Sequence, residues 1–350
     1  MDFDPQRICI IKPSALGDVA QTLPLLPVLK RRFPQASMAW VINRELSDVV
    51  TGHPNLDEVI PFARRGGWRE FGRLLRTLRS RRFDLVFDLQ GLLRTGMMSR
   101  ATGARCRVGL QTAREGAHLA CHITIPDTSR AVPAHERNWR VAEWLGLGDM
   151  PRQAFVATTD ADRAWVRSQL AALPQPVIGI HPGAKWETKR WPAEKFADVA
   201  LRAVRAYGGS VVVVGGSGDV ALGERIAQPI TAAGFSAMNV AGSTSLKQLA
   251  ELLRSIDVLV SNDSGPLHLA AELGTPVVGV YTCTSPVISG PAGVGHELVA
   301  TQLACAAGYH KVCPHSGDRH LACFEDLATD RVAAALLRSL NRIAARARSA

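Results

Sequence analysis

Short apolar runs alternate along this 350-residue chain with longer stretches in which apolar positions recur at helical spacing. The first run, Ile8-Cys9-Ile10-Ile11 within residues 7–12, is too short for a helix and lacks polar alternation, so it predicts a strand buried on both faces. Gly17 and Asp18 follow, and then an apolar-rich stretch to Phe33 that reads as a helix. Runs at residues 38–42, 85–89 and 105–108 predict further strands, with a helix over residues 68–79. This β-α-β rhythm implies a parallel sheet covered by helices on both faces. It pauses over residues 149–176, where Pro151, Pro174 and Pro176 bracket a helix near residues 162–173. It then resumes with strands at residues 177–180, 211–214, 258–260 and 277–280 and helices near residues 193–207, 219–233 and 245–255. Ser245 with Gln248 three residues on has the form of a capping box, which anchors the start of the last of these. An alanine- and arginine-rich amphipathic stretch at residues 330–347 predicts a closing helix.

The pattern divides the chain into two α/β, doubly wound, Rossmann-like domains, residues 1–160 and 177–330, joined by a linker region at 161–176 and followed by a C-terminal helix at 331–350. Two such domains in tandem imply a central cleft, and ligands of these sheets bind outside the carboxyl ends of the strands. No apolar run reaches the roughly 20 residues of a membrane span, and the N-terminus is acidic rather than a basic lead-in to a secretory segment, so the expected location is cytoplasmic.

Charge changes the picture in one half only. Of the formal net charge of +10, the first 150 residues carry +7, much of it from eight arginines between Arg64 and Arg82 with Glu70 the sole acid among them. Helical spacing puts Arg69, Arg73 and Arg76, and by extension Arg65, toward one face, either a solvated surface or a patch for an anionic ligand. Seven cysteines, scattered and odd in number, argue against a disulfide framework. Cys305, Cys313 and Cys323 lie near His310, His315 and His320 but lack the tight Cys-x-x-Cys pair of a structural zinc site, so loop packing by thiols is the expectation and no metal is assigned.

Three stretches carry candidate chemistry. Lys12-Pro13-Ser14-Ala15-Leu16-Gly17-Asp18 is a strand end, a turn and a helix start. Asp18 in a first turn is stabilised as an anion by the helix, and a positioned carboxylate is also the group that takes a proton from an attacking sugar hydroxyl. Asn262-Asp263-Ser264-Gly265-Pro266-Leu267-His268 follows a predicted strand and opens a helix. Gly265 permits close backbone approach and Pro266 suits a first turn, so the stretch reads either as an ordinary strand-to-helix turn with an aspartate cap or as a turn whose free N–H groups seat a diphosphate, and His268 one turn into the helix favours the second. His181-Pro182-Gly183-Ala184 leads into Lys185-Trp186-Glu187-Thr188-Lys189-Arg190-Trp191-Pro192, in which Lys189 could neutralise a leaving diphosphate. The glycine-rich loop Gly215-Gly216-Ser217-Gly218-Asp219 is neither a P-loop nor a full Gly-x-Gly-x-x-Gly, which counts against ATPases and dehydrogenases. The Asp-x-Asp pair Asp2-Phe3-Asp4 sits at the extreme terminus and is discounted as a metal-binding motif.

Residues 12–18, Lys189-Arg190-Trp191-Pro192 and Asp263-Ser264-Gly265-x-x-His268, in that order, resemble glycosyltransferase family 9, the ADP-heptose:lipopolysaccharide heptosyltransferases with the GT-B fold. Asp88-Leu89-Gln90-Gly91-Leu92, Ala113-Arg114-Glu115 and His135-Glu136-Arg137-Asn138 resemble heptosyltransferase I in particular. The resemblance implies an inverting transfer from ADP-L-glycero-D-manno-heptose to an octulosonic acid residue of the lipopolysaccharide inner core, with no cofactor. By position it implies Asp18 as general base and Lys189 as phosphate ligand. It implies donor contacts from Ser14, Gly17, Thr188, Glu224, Asp263, Ser264, Gly265, Pro266, Leu267 and His268, and acceptor contacts from Arg64, Arg65, Arg69, Arg73 and Arg114. The first domain would then be the acceptor side and the second the nucleotide-sugar side. A lipid-linked anionic acceptor further implies reversible, electrostatic contact with the inner-membrane surface. The alternatives are a family 9 transferase with another nucleotide sugar or acceptor, a nucleotide-sugar epimerase or hydrolase, and a basic nucleic-acid-binding protein. The last is disfavoured by an aromatic content of only 6% and the lack of any RNA-binding motif, since stacking platforms are then scarce.

Overall fold

The computed structural model describes residues 4–349; Asp2 and Phe3 of the discounted Asp-x-Asp pair lie outside the described residues. The chain forms two compact units, Met1–Ala157 and Thr158–Ala350.

The first unit contains strands β1 (Arg7–Ile11), β2 (Ser37–Asn43), β3 (Glu58–Phe62), β4 (Leu85–Asp88), β5 (Cys106–Leu110) and β6 (Ile123–Ile125). Its helices are α1 (Leu16–Ala20), α2 (Leu25–Arg32), α3 (Gly67–Ser80), α4 (Leu93–Thr102) and α5 (Ala134–Trp144). The strands make one all-parallel sheet in the order β3-β2-β1-β4-β5-β6. The predicted helix to Phe33 is in fact two, because Pro24 has no N–H to donate and its ring crowds the preceding turn. In α3, Phe71, Leu74 and Leu78 face the sheet and pack with Cys9, Ile11, Val41 and Val86, each large side chain contributing roughly 1.5–3 kcal/mol by leaving water.

The second unit contains α6 (Asp160–Leu170), α7 (Ala193–Tyr207), α8 (Val220–Ala232), α9 (Leu246–Ser255), α10 (Gly265–Glu272), α11 (Pro286–Ser289), α12 (Cys323–Asp326) and α13 (Thr329–Ser349). Its strands are β7 (Val177–His181), β8 (Ser210–Val213), β9 (Ser236–Asn239), β10 (Val258–Asn262), β11 (Val277–Tyr281) and β12 (Glu297–Ala300), all parallel in the order β12-β11-β10-β7-β8-β9. The core sets Ile178, Ile180, Val211, Val213, Val258 and Val260 against Phe196 of α7 and Val332, Leu336 and Leu340 of α13. The closing helix therefore completes this unit's core. Residues 161–176, expected to be a linker region holding a helix near residues 162–173, do carry most of α6, but this helix opens on a Thr159–Asp162 capping box and packs on α9, so it belongs to the second unit. The division falls earlier, between Ala157 and Thr158.

Each sheet has the same order when its strands are numbered from its own start, 3-2-1-4-5-6. Each therefore reverses direction once, between β1 and β4 in the first unit and between β7 and β10 in the second. At such a point successive loops splay to opposite sides and leave a crevice at the carboxyl ends of the strands.

Candidate functional site

At the first switch point, Lys12 leaves the end of β1 and Asp18 sits in the first turn of α1. Lys12 is buried; its Nζ donates to the Leu89 carbonyl oxygen at 2.9 Å and lies 3.5 Å from Asp18 Oδ1. Asp18 Oδ2 accepts the Ala15 N–H at 3.0 Å, so the carboxylate caps its own helix. With 42% of its side chain exposed, it still reaches solvent. Ser14 and Gly17 belong to the same turn, Ser14 donating its N–H to Gln90 Oε1 at 3.4 Å.

The loop after β4 supplies the facing wall. Asp88 Oδ1 accepts the N–H groups of Gln90 and Gly91 at 3.1 and 3.0 Å, and burial pushes this carboxyl's pKa up against those bonds and the nearby Lys12 charge. Gly91 has φ +64, and a Cβ there would lie 2.8 Å from the Ala113 Cα, so only glycine fits. A pocket of about 170 Å³ opens above this loop, lined by Lys12, Asp18, Gln90, Arg114, Arg130 and Arg137, among others. Asp18 is the only acid in a lining that holds four cations. Of the five expected acceptor arginines, this pocket contains Arg114 alone. Arg64 and Arg65 lie in the turn before α3, which starts only at Gly67, so Arg65 does not share its face; Arg69 and Arg73 are exposed on the helix. Arg130 and Arg137 were not singled out by charge density because they stand apart in sequence. Arg137 belongs to the His135–Asn138 stretch that resembles heptosyltransferase I, which is the signal in the sequence for it.

At the second switch point the geometry is tighter. Asp263, 5% exposed at the end of β10, accepts from Lys189 Nζ at 2.6 Å and from Thr284 Oγ1 at 2.6 Å, and His268 Nε2 lies 3.3 Å from its other oxygen. Burial alone would raise this carboxyl's pKa, but the His268 hydrogen bond and the Lys189 ammonium outweigh it and hold it well below the usual carboxylate range. Lys189 Nζ also stands 4.8 Å from the centre of the Trp186 ring. Asn262 ties the two neighbouring loops together, its Nδ2 donating to the Pro182 carbonyl and its Oδ1 accepting the Trp191 N–H. Thr188 is fixed on both sides, its hydroxyl donating to the His310 carbonyl and its own carbonyl accepting from Thr282.

Ser264 is the N-cap of α10, yet its hydroxyl makes no capping bond. It pairs instead with His181 Nδ1 at 3.0 Å and Ser261 Oγ at 3.1 Å. The first-turn N–H groups of α10, including those of Gly265 and Leu267, are therefore not consumed by the cap. That is the arrangement an oxyanion ligand uses. Pro266 contributes shape but no N–H, while Leu267 and His268 side chains are buried, so Leu267 can offer only its backbone. Burial pushes His181 down to about 4 despite the Asp219 carboxylate 4.0 Å from Nε2, so the ring is neutral at physiological pH. Glu224 lies on the exposed side of α8, bonded by Asn239 Nδ2 at 2.8 Å rather than by any residue of the Asp263 set.

In the late cysteine segment Cys313 Sγ accepts the Leu321 N–H, and burial pushes the Cys323 thiol up to about 11. All seven cysteines are free thiols, and among the described residues no three His, Cys, Asp or Glu side chains come together as metal ligands.

Each unit is thus a doubly wound α/β domain with a polar crevice at its switch point, a carboxylate among cations in the first and a helix N-terminus beside a buried Lys–Asp pair in the second. Comparison with known proteins sharpens this. The sequence profile of glycosyltransferase family 9 (heptosyltransferase) matches residues 71–317. The chain is 30% identical to lipopolysaccharide heptosyltransferase 1 of Pseudomonas aeruginosa, covering 94% of this chain and 97% of that one. It is 28% identical to the lipopolysaccharide core heptosyltransferase OpsX of Haemophilus influenzae, covering 82% of each. Among solved structures, a family 9 glycosyl transferase from Veillonella parvula superposes with a TM-score of 0.84 at 24% identity, over 98% of this chain and 99% of that one. The E. coli heptosyltransferase WaaC with ADP gives 0.69 at 23%, over 95% and 99%. The chain belongs to glycosyltransferase family 9, has the GT-B fold and is a glycosyltransferase of the heptosyltransferase kind.

Proposed function

We propose that the protein transfers heptose from ADP-L-glycero-D-manno-heptose to an octulosonic acid residue of the lipopolysaccharide inner core, with inversion and without a metal ion. The observation that carries this is the first pocket, where Asp18 is the single acid among Lys12, Arg114, Arg130 and Arg137. A sugar acid bearing carboxylate and, on its lipid, phosphate complements such a lining. Asp18 is then placed to take the hydroxyl proton while that oxygen attacks the anomeric carbon. The bond from that carbon to the diphosphate breaks and ADP departs.

Fixed positive ends receive the leaving group in this reading. The α10 N–H groups meet the diphosphate, and Lys189, which Asp263 and the Trp186 ring hold in place, supplies a full charge. Thr188 and Ser264 border that seat, while Ser14 and Gly17 border Asp18. Glu224 on α8 would reach the nucleoside end. The relatives named for lipopolysaccharide heptose transfer and the similar structure holding ADP support the donor and acceptor assignment. The acceptor is lipid-linked, which places the reaction at the cytoplasmic surface of the inner membrane. Among the described residues no helix is long and apolar enough to cross a membrane, so that contact is peripheral in this reading.

The test is product formation from ADP-heptose and octulosonic-acid-bearing lipid A in EDTA, followed by mass and by the anomeric configuration of the product. An inverted heptoside formed in EDTA is the expected result. ADP release that does not depend on acceptor would indicate a hydrolase instead, and activity with only another nucleotide sugar would reassign the donor.

A further inference from the structure

Four large apolar side chains stand exposed on neighbouring elements of the first unit: Trp68 on α3 at 81%, Leu93 and Met97 on α4 at 54% and 40%, and Leu119, in the short turn Ala117–Ala120, at 74%. They form one neighbourhood. Arg94 Nη1 reaches the Arg64 carbonyl at 3.4 Å and ties the start of α4 to the turn before α3. Gly96 lies so close to Ala117 that a Cβ would come within 3.1 Å of the Ala117 Cα, which seats α4 on the turn that carries Leu119. Leu93 donates its N–H to Glu115 Oε2 at 3.2 Å, and Leu93 and Met97, four apart, share a helix face.

The surround is cationic. Arg64, Arg65, Arg69, Arg94 and Arg114 are all exposed. Of the two acids nearby, Glu70 is bonded to Arg44 and Glu115 to the Leu93 N–H. Core packing does not account for a tryptophan that keeps four-fifths of its surface in water beside three exposed aliphatic side chains. Apolar side chains ringed by arginines match a bilayer whose anionic headgroups meet the guanidinium groups while indole, leucine and methionine enter the boundary with the acyl chains. The helices α3 and α4 follow β3 and β4, so their N-termini stand at the carboxyl ends of the strands, the same edge as the Asp18 pocket. Arg114 belongs to both that pocket and this surround.

We propose that the N-terminal ends of α3 and α4 together with the Ala117–Ala120 turn are a docking face for an anionic lipid bilayer, held by inserted Trp68 and Leu119 as well as by charge. This goes beyond a purely electrostatic contact and does not depend on which sugar is transferred.

Flotation of the full chain with acceptor-free vesicles tests it. Vesicles of phosphatidylcholine plus phosphatidylglycerol retain the protein, those of phosphatidylcholine alone do not, and rising salt weakens retention. Brominated acyl chains quench part of the tryptophan fluorescence, and that part is missing in Trp68→Phe. The double variant Trp68→Ala/Leu119→Ser unfolds at the wild-type temperature, because both side chains are exposed, yet binds anionic vesicles about tenfold more weakly. No retention on anionic vesicles overturns the proposal. Retention undiminished in the double variant overturns it as well, because the basic field alone then suffices. A dimer that the double variant dissociates, with vesicle binding unchanged, reassigns the face to a protein partner.

Discussion

Removing the Lys189 ammonium isolates the contact on which the second switch point is built. In Lys189→Met the Asp263 carboxylate, 5% exposed, loses the partner at 2.6 Å and keeps only Thr284 and His268. Breaking a fully buried ion pair typically costs 3–5 kcal/mol; with Lys189 17% exposed and two hydrogen bonds retained, about 2–3 kcal/mol is expected here. For a folding unit of this size that corresponds to a drop of roughly 5–10 °C in Tm at neutral pH. The sign with pH follows from the carboxyl. In the wild type its folded pKa is depressed, so its stabilising contribution is complete above the unfolded carboxylate value and is lost as pH falls through the folded one. In the variant burial dominates and the pKa rises, so acidification lets Asp263 take a proton and narrows the gap to wild type. Thermal unfolding of both proteins from pH 8 to 4, with Lys189→Met/Asp263→Asn as the third member, reads this out; the double variant should recover part of the lost Tm. A variant that melts with the wild type at neutral pH, or a deficit independent of pH, would refute the reasoning.

Other perturbations test other parts of the account. Arg137→Ala and Arg114→Ala should raise KM for the lipid acceptor about tenfold or more while leaving ADP affinity unchanged, checked by steady-state kinetics and calorimetry. Gly91→Ala should cost about 2 kcal/mol in denaturant unfolding, because a methyl at φ +64 meets the Ala113 backbone and displaces the loop that Asp88 holds. Because His181 is pushed down to about 4, the unfolded state binds the extra proton between about pH 6.5 and 4, and stability is lost as pH falls through that window, by on the order of 3 kcal/mol. His181→Gln should flatten that part of the profile; a wild-type slope retained in the variant would count against it.

The interior of both sheets was legible from composition because β1, β2, β4, β7, β8, β10 and β11 are buried nearly throughout. The unseen strands β3, β6, β9 and β12 are the four sheet edges. An edge needs only partial burial, so Pro61 is tolerated in β3, β9 is half-exposed along its length, and β6 has only three residues. The α6 helix was visible, but its allegiance was not: only packing on α9 assigns it to the second unit. Site residues followed the same division. Asp18, Lys189 and Asp263 lie in or beside motifs at strand ends, where local order signals a site. Arg130 and Arg137 reach their pocket through the fold, whereas the dense arginine run from Arg64 to Arg73 stands out by charge but does not line it.

In the proposed reaction labour is divided, with Asp18 serving the acceptor hydroxyl and Lys189 with α10 serving the donor. The most direct test is Asp18→Asn, measured for ADP affinity by calorimetry and for acceptor-dependent turnover of ADP-heptose in EDTA. With labour so divided, ADP affinity stays within about twofold of wild type and turnover falls about 10²- to 10⁴-fold. Turnover that survives the substitution would contradict it.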